Sequence, residues 1–125
     1  MYADLKNGLI SQAKGRVLEI GAGTGESVKY YKKDQIEIIY GIEPNIEALG
    51  NLRKQLVKAD IVDKYEILPF GVEEAKKLQD AGISKGSIDT ILCVSSFCNF
   101  RSNSRCYVYV PCQRQRKLFL YYILY

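Results

Sequence analysis

Four short, β-branched-rich apolar runs, separated by segments of helical spacing, predict an α/β fold with an open, mainly parallel sheet and helices on both faces. The runs occupy residues 16–20, 36–42, 65–68 and 88–94, and Gly15, Gly21, Pro44, Pro69 and Gly86 punctuate them. Their near-continuous apolarity suits strands buried on both faces, and the short links between textures favour right-handed crossovers.

Each intervening segment has its own signal. After Pro44, Asn45 is a good N-cap, and Ile46, Leu49, Leu52 and Leu56 recur at helical spacing with Lys54 and Lys58 toward the C-terminal end. Val72, Ala75 and Leu78 mark a second helix that opens on Glu73 and Glu74 and stops at Gly82. A third, shorter helix is predicted from about Gly25 to Lys33. Leu5, Leu9, Ile10 and Ala13 place a covering helix within residues 2–14.

The 125 residues suit one domain. No run is long and apolar enough for a membrane span, and no signal-peptide layout opens the chain. A cytoplasmic location with reduced thiols follows as the expectation. The net charge of +4 is unevenly placed: residues 1–100 hold 13 Lys/Arg against 14 Asp/Glu, whereas 101–125 hold five basic residues and no acid. The absence of histidine removes Ser-His and Cys-His nucleophile pairs, which weakens hydrolase readings. Cys93, Cys98, Cys106 and Cys112 form no CxxC pair, so no metal site is expected.

Composition changes near residue 100. Glycine is absent after Gly86 and acids after Asp89, and half of the ten tyrosines fall in the last 25 residues. Two segments follow: a ligand-binding domain over 1–100 and an atypical basic, Tyr-rich tail over 101–125. Residues 106–110 alternate like a strand and 118–125 form an unbroken apolar and aromatic run. Their pattern does not say what they pair with. The basic residues are scattered among buried-type ones, so no nucleic-acid partner is expected.

The stretch Val17-Leu-Glu-Ile-Gly-Ala-Gly-Thr-Gly25 joins a strand to a glycine-rich turn. Ligands of open parallel sheets bind at the carboxyl ends of strands, where glycines let backbone approach them closely. Glu43 ends the second strand twenty residues past Gly23, and a carboxylate there accepts hydrogen bonds from ribose hydroxyls. A dinucleotide fingerprint would require glycine at position 26, which is Glu26. An acid at that point repels a pyrophosphate, so the turn suits a ribonucleoside without phosphates.

Leu18-Glu-Ile-Gly-Ala-Gly-Thr-Gly25 and Tyr40-Gly-Ile-Glu-Pro-Asn45 resemble the first two motifs of class I S-adenosylmethionine-dependent methyltransferases. The resemblance extends to Pro69-Phe-Gly-Val-Glu73 and to the fourth strand with Ser95 and Ser96 after it, and is greatest to the small methyltransferase-like proteins related to thiol methyltransferases. It implies a Rossmann-like methyltransferase fold with about four family-like strands, S-adenosyl-L-methionine as cofactor, and methyl transfer to a small-molecule acceptor such as a thiol. Carried over by position, Glu19 helps hold the amino end of the methionine part, and Gly21, Gly23 and Gly25 line the methionine and ribose. Glu43 binds the ribose hydroxyls, Val72 and Glu73 lie near adenine, and Ser95 approaches the sulfonium. No catalytic residue is assigned.

Plain alternatives stand beside these roles: a tight turn for the glycines, a solvated strand end for Glu43, bonding to backbone amides for Glu19, and a core contact for Val72. A non-catalytic nucleoside-binding or interaction module, or an NAD(P)-binding oxidoreductase fragment, are the rival functions. Complete family members carry a seven-stranded sheet, and nothing after Asn99 resembles its remaining strands. A truncated form is therefore expected, with strand order 3-2-1-4, the fourth strand left as an edge that invites self-association.

Overall fold

A computed structural model of the chain describes residues 7–8, 10–71, 74–84 and 86–92, and the backbone alone of 106–111 and 118–123. The strands are β1 (Gly15–Ile20), β2 (Ile36–Ile42), β3 (Tyr65–Leu68), β4 (Thr90–Leu92), β5 (Cys106–Pro111) and β6 (Leu118–Ile123). Among the described residues they form one sheet in the order β3-β2-β1-β4-β5-β6. The first four are parallel, in the predicted order, and β5 and β6 add antiparallel pairs. The expectation that the fourth strand is left as an edge is corrected: β5 pairs with β4 through Ile91–Tyr109 and Leu92–Val108, so its backbone groups have partners on that side.

Helices lie on both faces. Helix α1 (Ile46–Lys58) buries Ala48 and packs Leu49, Leu52 and Leu56 against Val17 and Ile39, where Ile10 and Ala13 of the N-terminal segment also pack. Residues 7, 8 and 10 of that segment are helical, but its predicted helix does not run on to Lys14: Ser11 and Gln12 form a turn and residues 13–14 are not helical, while the rest of it, with Leu5 and Leu9, lies outside the described residues. On the other face, Leu78 of the short helix α2 (Ala75–Asp80) packs with Leu18, Tyr40, Ile42 and Ile88. The alternation of Val17 and Leu18 between the two cores is the period of two that a strand imposes.

Local chemistry sets the boundaries. Asn45 caps α1 as predicted, its side chain accepting from Glu47 N–H at 3.1 Å. Ile46 departs from prediction and is exposed. At 100° per residue it sits about 120° around the helix from Leu52, beyond the buried stripe. The helix predicted from about Gly25 to Lys33 is replaced by two single 3-10 turns, Val28–Tyr30 and Lys33–Gln35. Tyr31 between them is extended (φ −68°, ψ 138°), which breaks any continuous helix.

Arg16 ties β1 to the α2 side. Its Nη2 donates to Tyr40 Oη at 2.9 Å and to the Gly82 carbonyl at 3.3 Å, and its guanidinium lies 5.6 Å from the Tyr40 ring centroid. The entry to β1 is fixed by Asp89, whose Oδ2 accepts from Arg16 N–H at 2.9 Å and whose side chain fills the space beside Gly15. These contacts fix the amino end of β1.

The core side of α1 is where truncation costs most. Leu52→Ala, at a fully buried position, is expected to lower stability by about 2–5 kcal/mol. Val57→Ala, on the exposed side of the same helix, is expected to change it by less than about 0.5 kcal/mol. Urea unfolding of the two variants followed by circular dichroism checks the contrast.

Candidate functional site

Past Ile20 the chain turns through Gly21, Gly23 and Gly25, with φ of 73°, 58° and 86°. Side chains with a Cβ seldom adopt such angles, so the turn requires glycine on backbone grounds. It is stitched to the tip of β2: Gly21 N–H and Ala22 N–H both donate to the Ile42 carbonyl, at 2.9 and 3.0 Å. Gly23 N–H then donates to Glu43 Oε2 at 3.2 Å, and Asn45 N–H to Glu43 Oε1 at 3.4 Å. Glu43 N–H in turn donates to the Leu68 carbonyl at 3.0 Å, tying the acid to the end of β3.

The glycines meet different surroundings. A Cβ on Gly25 would lie 3.0 Å from Gln55 Cβ and 3.1 Å from Leu52 Cδ1, so α1 rests directly on the turn there. At Gly23 the nearest atom would be Gly21 O at 3.9 Å, so this backbone borders open space. Beside it stands the Glu43 carboxylate, whose two oxygens each accept one backbone amide. A carboxylate has about four lone-pair sites, and the remaining pair matches two neighbouring hydroxyls. Turn and acid therefore face one locus, as the sequence spacing predicted.

Glu19 lies lower, on β1 beside Gly41 of β2 and Leu92 of β4, and is 2% exposed. Tyr31 Oη donates to Glu19 Oε2 at 2.6 Å, and Tyr65 Oη reaches the same oxygen from β3 at 3.4 Å. To cross β2, the Tyr65 ring lies over Gly41, where any Cβ would collide with it. Burial, then the Glu19 charge, push the Tyr31 phenol well above its ordinary value of 10.0. Tyr65 is raised by the same two causes, with the Glu43 charge contributing further.

Neither tyrosine was identified from the sequence. The available signal is Gly41, a residue without a side chain in an otherwise bulky strand. Val72, Glu73, Ser95 and Ser96 lie outside the described residues, as do the side chains of the four cysteines. Among the described residues no group of three His, Cys, Asp or Glu is placed to hold a metal ion. Nor is any helix among them long and apolar enough to cross a membrane.

A glycine turn, a strand-end acid and this strand order together admit a direct comparison with known proteins. The family model described as "Methyltransferase domain" matches residues 18–109. The chain belongs to this family. No curated protein matches this methyltransferase domain. A solved structure of a SAM-dependent methyltransferase from Agrobacterium tumefaciens has the same fold, with a TM-score of 0.51 and 17% identity over 73% of this chain and 29% of that one. Two further similar structures are an rRNA methylase from Streptococcus thermophilus (TM-score 0.45, 18% identity, 58% of this chain and 42% of that one) and a putative rRNA-methylase from Clostridium thermocellum (TM-score 0.48, 16% identity, 60% and 44%). The methyltransferase domain spans less than half the length of each of these structures. Their presence among its structural relatives overturns the expectation that nucleic acid is no partner, and that exclusion is withdrawn. Scattered charge in the tail was never a test of what the whole sheet end contacts.

The buried phenols set an alkaline limit. Below pH of about 10 both are neutral in folded and unfolded chains, and their contribution to stability is fully present. Above it the unfolded chain loses these protons while the folded chain keeps them, so stability falls by up to about 1.4 kcal/mol per pH unit for each phenol. In denaturant titrations between pH 9 and 11, Tyr31→Phe is expected to show a shallower decline than the unsubstituted chain.

Proposed function

We propose that this methyltransferase domain binds S-adenosyl-L-methionine and directs its methyl group to a small-molecule acceptor, a thiol being the class that suits the site best. The observation that carries the reading is the 3.2 Å hydrogen bond from Gly23 to Glu43, which fastens the glycine turn to the strand-end acid. The open space at Gly23 supports the fit, because the ligand's sugar and amino-acid arm need close passage along that backbone. In this reading Glu43 accepts both ribose hydroxyls, Gly21, Gly23 and Gly25 line the methionine and ribose, and Glu19 serves the amino end. Val72 and Glu73 flank the adenine, and Ser95 approaches the sulfonium. Residues 1–100 hold every proposed contact.

The sulfonium supplies an already activated methyl group. The chain's own work is alignment: Glu43 and the turn fix the nucleoside, so that the donor carbon and the acceptor approach in line. Orientation of that kind is worth about 7–11 kcal/mol in favourable cases. A thiol ionises near pH 8.5 without assistance, so the lack of histidine is compatible with the chemistry. A cytoplasmic location, where cysteines stay reduced, accompanies the proposal.

Isothermal titration with S-adenosylhomocysteine tests it. Micromolar binding is expected, and no heat from folded protein contradicts the reading. Glu43→Ala is expected to reduce affinity at least tenfold, and unchanged affinity means the ribose assignment is wrong. NADH displacing the ligand more effectively would favour an oxidoreductase. A panel of thiol, oxygen and nitrogen acceptors that includes short RNA reports the acceptor, and turnover on none would favour a non-catalytic nucleoside-binding module.

A further inference from the structure

The Tyr31–Glu19–Tyr65 cluster buries a carboxylate in the core. Its two hydroxyls come from separate elements, the turn after the glycine loop and the first residue of β3, and converge on one oxygen of a buried carboxylate. The arrangement requires a glycine at position 41, because the Tyr65 ring passes over that backbone. Burying a carboxylate among apolar neighbours costs several kcal/mol, and apolar replacements of similar volume are often neutral or stabilising. Stability alone is a weak reason for three elements to converge on this charge.

Its location supplies another reason. Glu19 lies two residues before Gly21, in the strand that delivers the glycine turn, and Tyr65 feels the charge of Glu43 as well as that of Glu19. The charges of the two acids that the proposed function assigns to the ligand thus both act on one phenol. Because burial and the Glu19 charge keep both phenols protonated, they remain hydrogen-bond donors at every pH near neutrality.

We propose that Tyr31 and Tyr65 are positioning residues: their hydroxyls hold the Glu19 carboxylate fixed in direction, so that it receives the ammonium group of the cofactor's amino-acid arm. This rests on the nucleoside-binding reading given above and specifies how that site recognises one end of its ligand. Hydrogen bonds to ionised groups are about twice as strong as neutral ones and hold their geometry more tightly. A carboxylate without them would turn toward other donors or leave the ammonium poorly paired. The phenols therefore act on recognition of the arm and leave recognition of the nucleoside to Glu43 and the turn.

The experiment compares two ligands that share the nucleoside. S-Adenosylhomocysteine carries the ammonium-bearing arm and 5′-methylthioadenosine lacks it. Both are titrated calorimetrically into the full chain, Tyr31→Phe and Tyr65→Phe, with circular dichroism confirming that each is folded. Tyr31→Phe is expected to weaken S-adenosylhomocysteine about tenfold and to leave methylthioadenosine within twofold. Tyr65→Phe, which keeps the ring over Gly41 and removes the longer bond, is expected to give the same split at about threefold. If Tyr31→Phe fails to fold, Tyr65→Phe decides alone. Equal weakening of both ligands would mean a structural role only and overturn the proposal, as would no change in either. If the unsubstituted chain binds neither ligand, the nucleoside reading itself fails, whereas binding of both without the split removes this proposal alone.

Discussion

The site depends on one set of backbone bonds, those that fasten the turn after β1 to the tip of β2. Two amides at Gly21 and Ala22 share the Ile42 carbonyl, and the next glycine donates to Glu43. A turn held only at its strand end would swing, since positive-φ glycines have little resistance of their own. Anchored at both sides, it presents Gly23 to open space at a fixed distance from the acid. Register does the rest: Glu19 opposite Gly41 and Ile20 opposite Ile42 bring the two strand ends level.

Packing protects that alignment from below. Leu52 and Gln55 of α1 press on Gly25, while Arg16 and Asp89 fix the opposite end of β1. The buried carboxylate fits the same plan. Glu19 is held by two phenols from separate segments of the chain, and the space for one of them exists because β2 carries no side chain at position 41. Core and site are thereby coupled through a few side chains.

Much of this was readable in the chain. The bounds of β2 and β3, the cap at Asn45, the order of the parallel strands and the meeting of the glycine turn with Glu43 follow from local apolar runs, turn residues and spacing. Where non-local contacts decide, reading stopped short. Residues 25–33 form turns because Tyr31 is extended with its hydroxyl on Glu19, a partner twelve residues away that spacing does not reveal. Ile46 falls off the buried stripe by its angle around α1. Alternation marked residues 106–110 as a strand but carried no information about its neighbour, and β4 takes that place. The scattered positive charge of the tail did not decide for or against a nucleic-acid partner.

The central claim is that a nucleoside lies between the turn and the strand-end acid. Amide chemical shifts measured on labelled protein during titration with S-adenosylhomocysteine test it directly, since the amides of Gly23 and Asn45 both donate to Glu43. Those two resonances are expected to move most and together, with saturation at one ligand per chain. Shifts confined to the hollow of about 260 Å³ beside Lys29 and Lys58 at the far end of α1, with Gly23 and Asn45 unmoved, would contradict it.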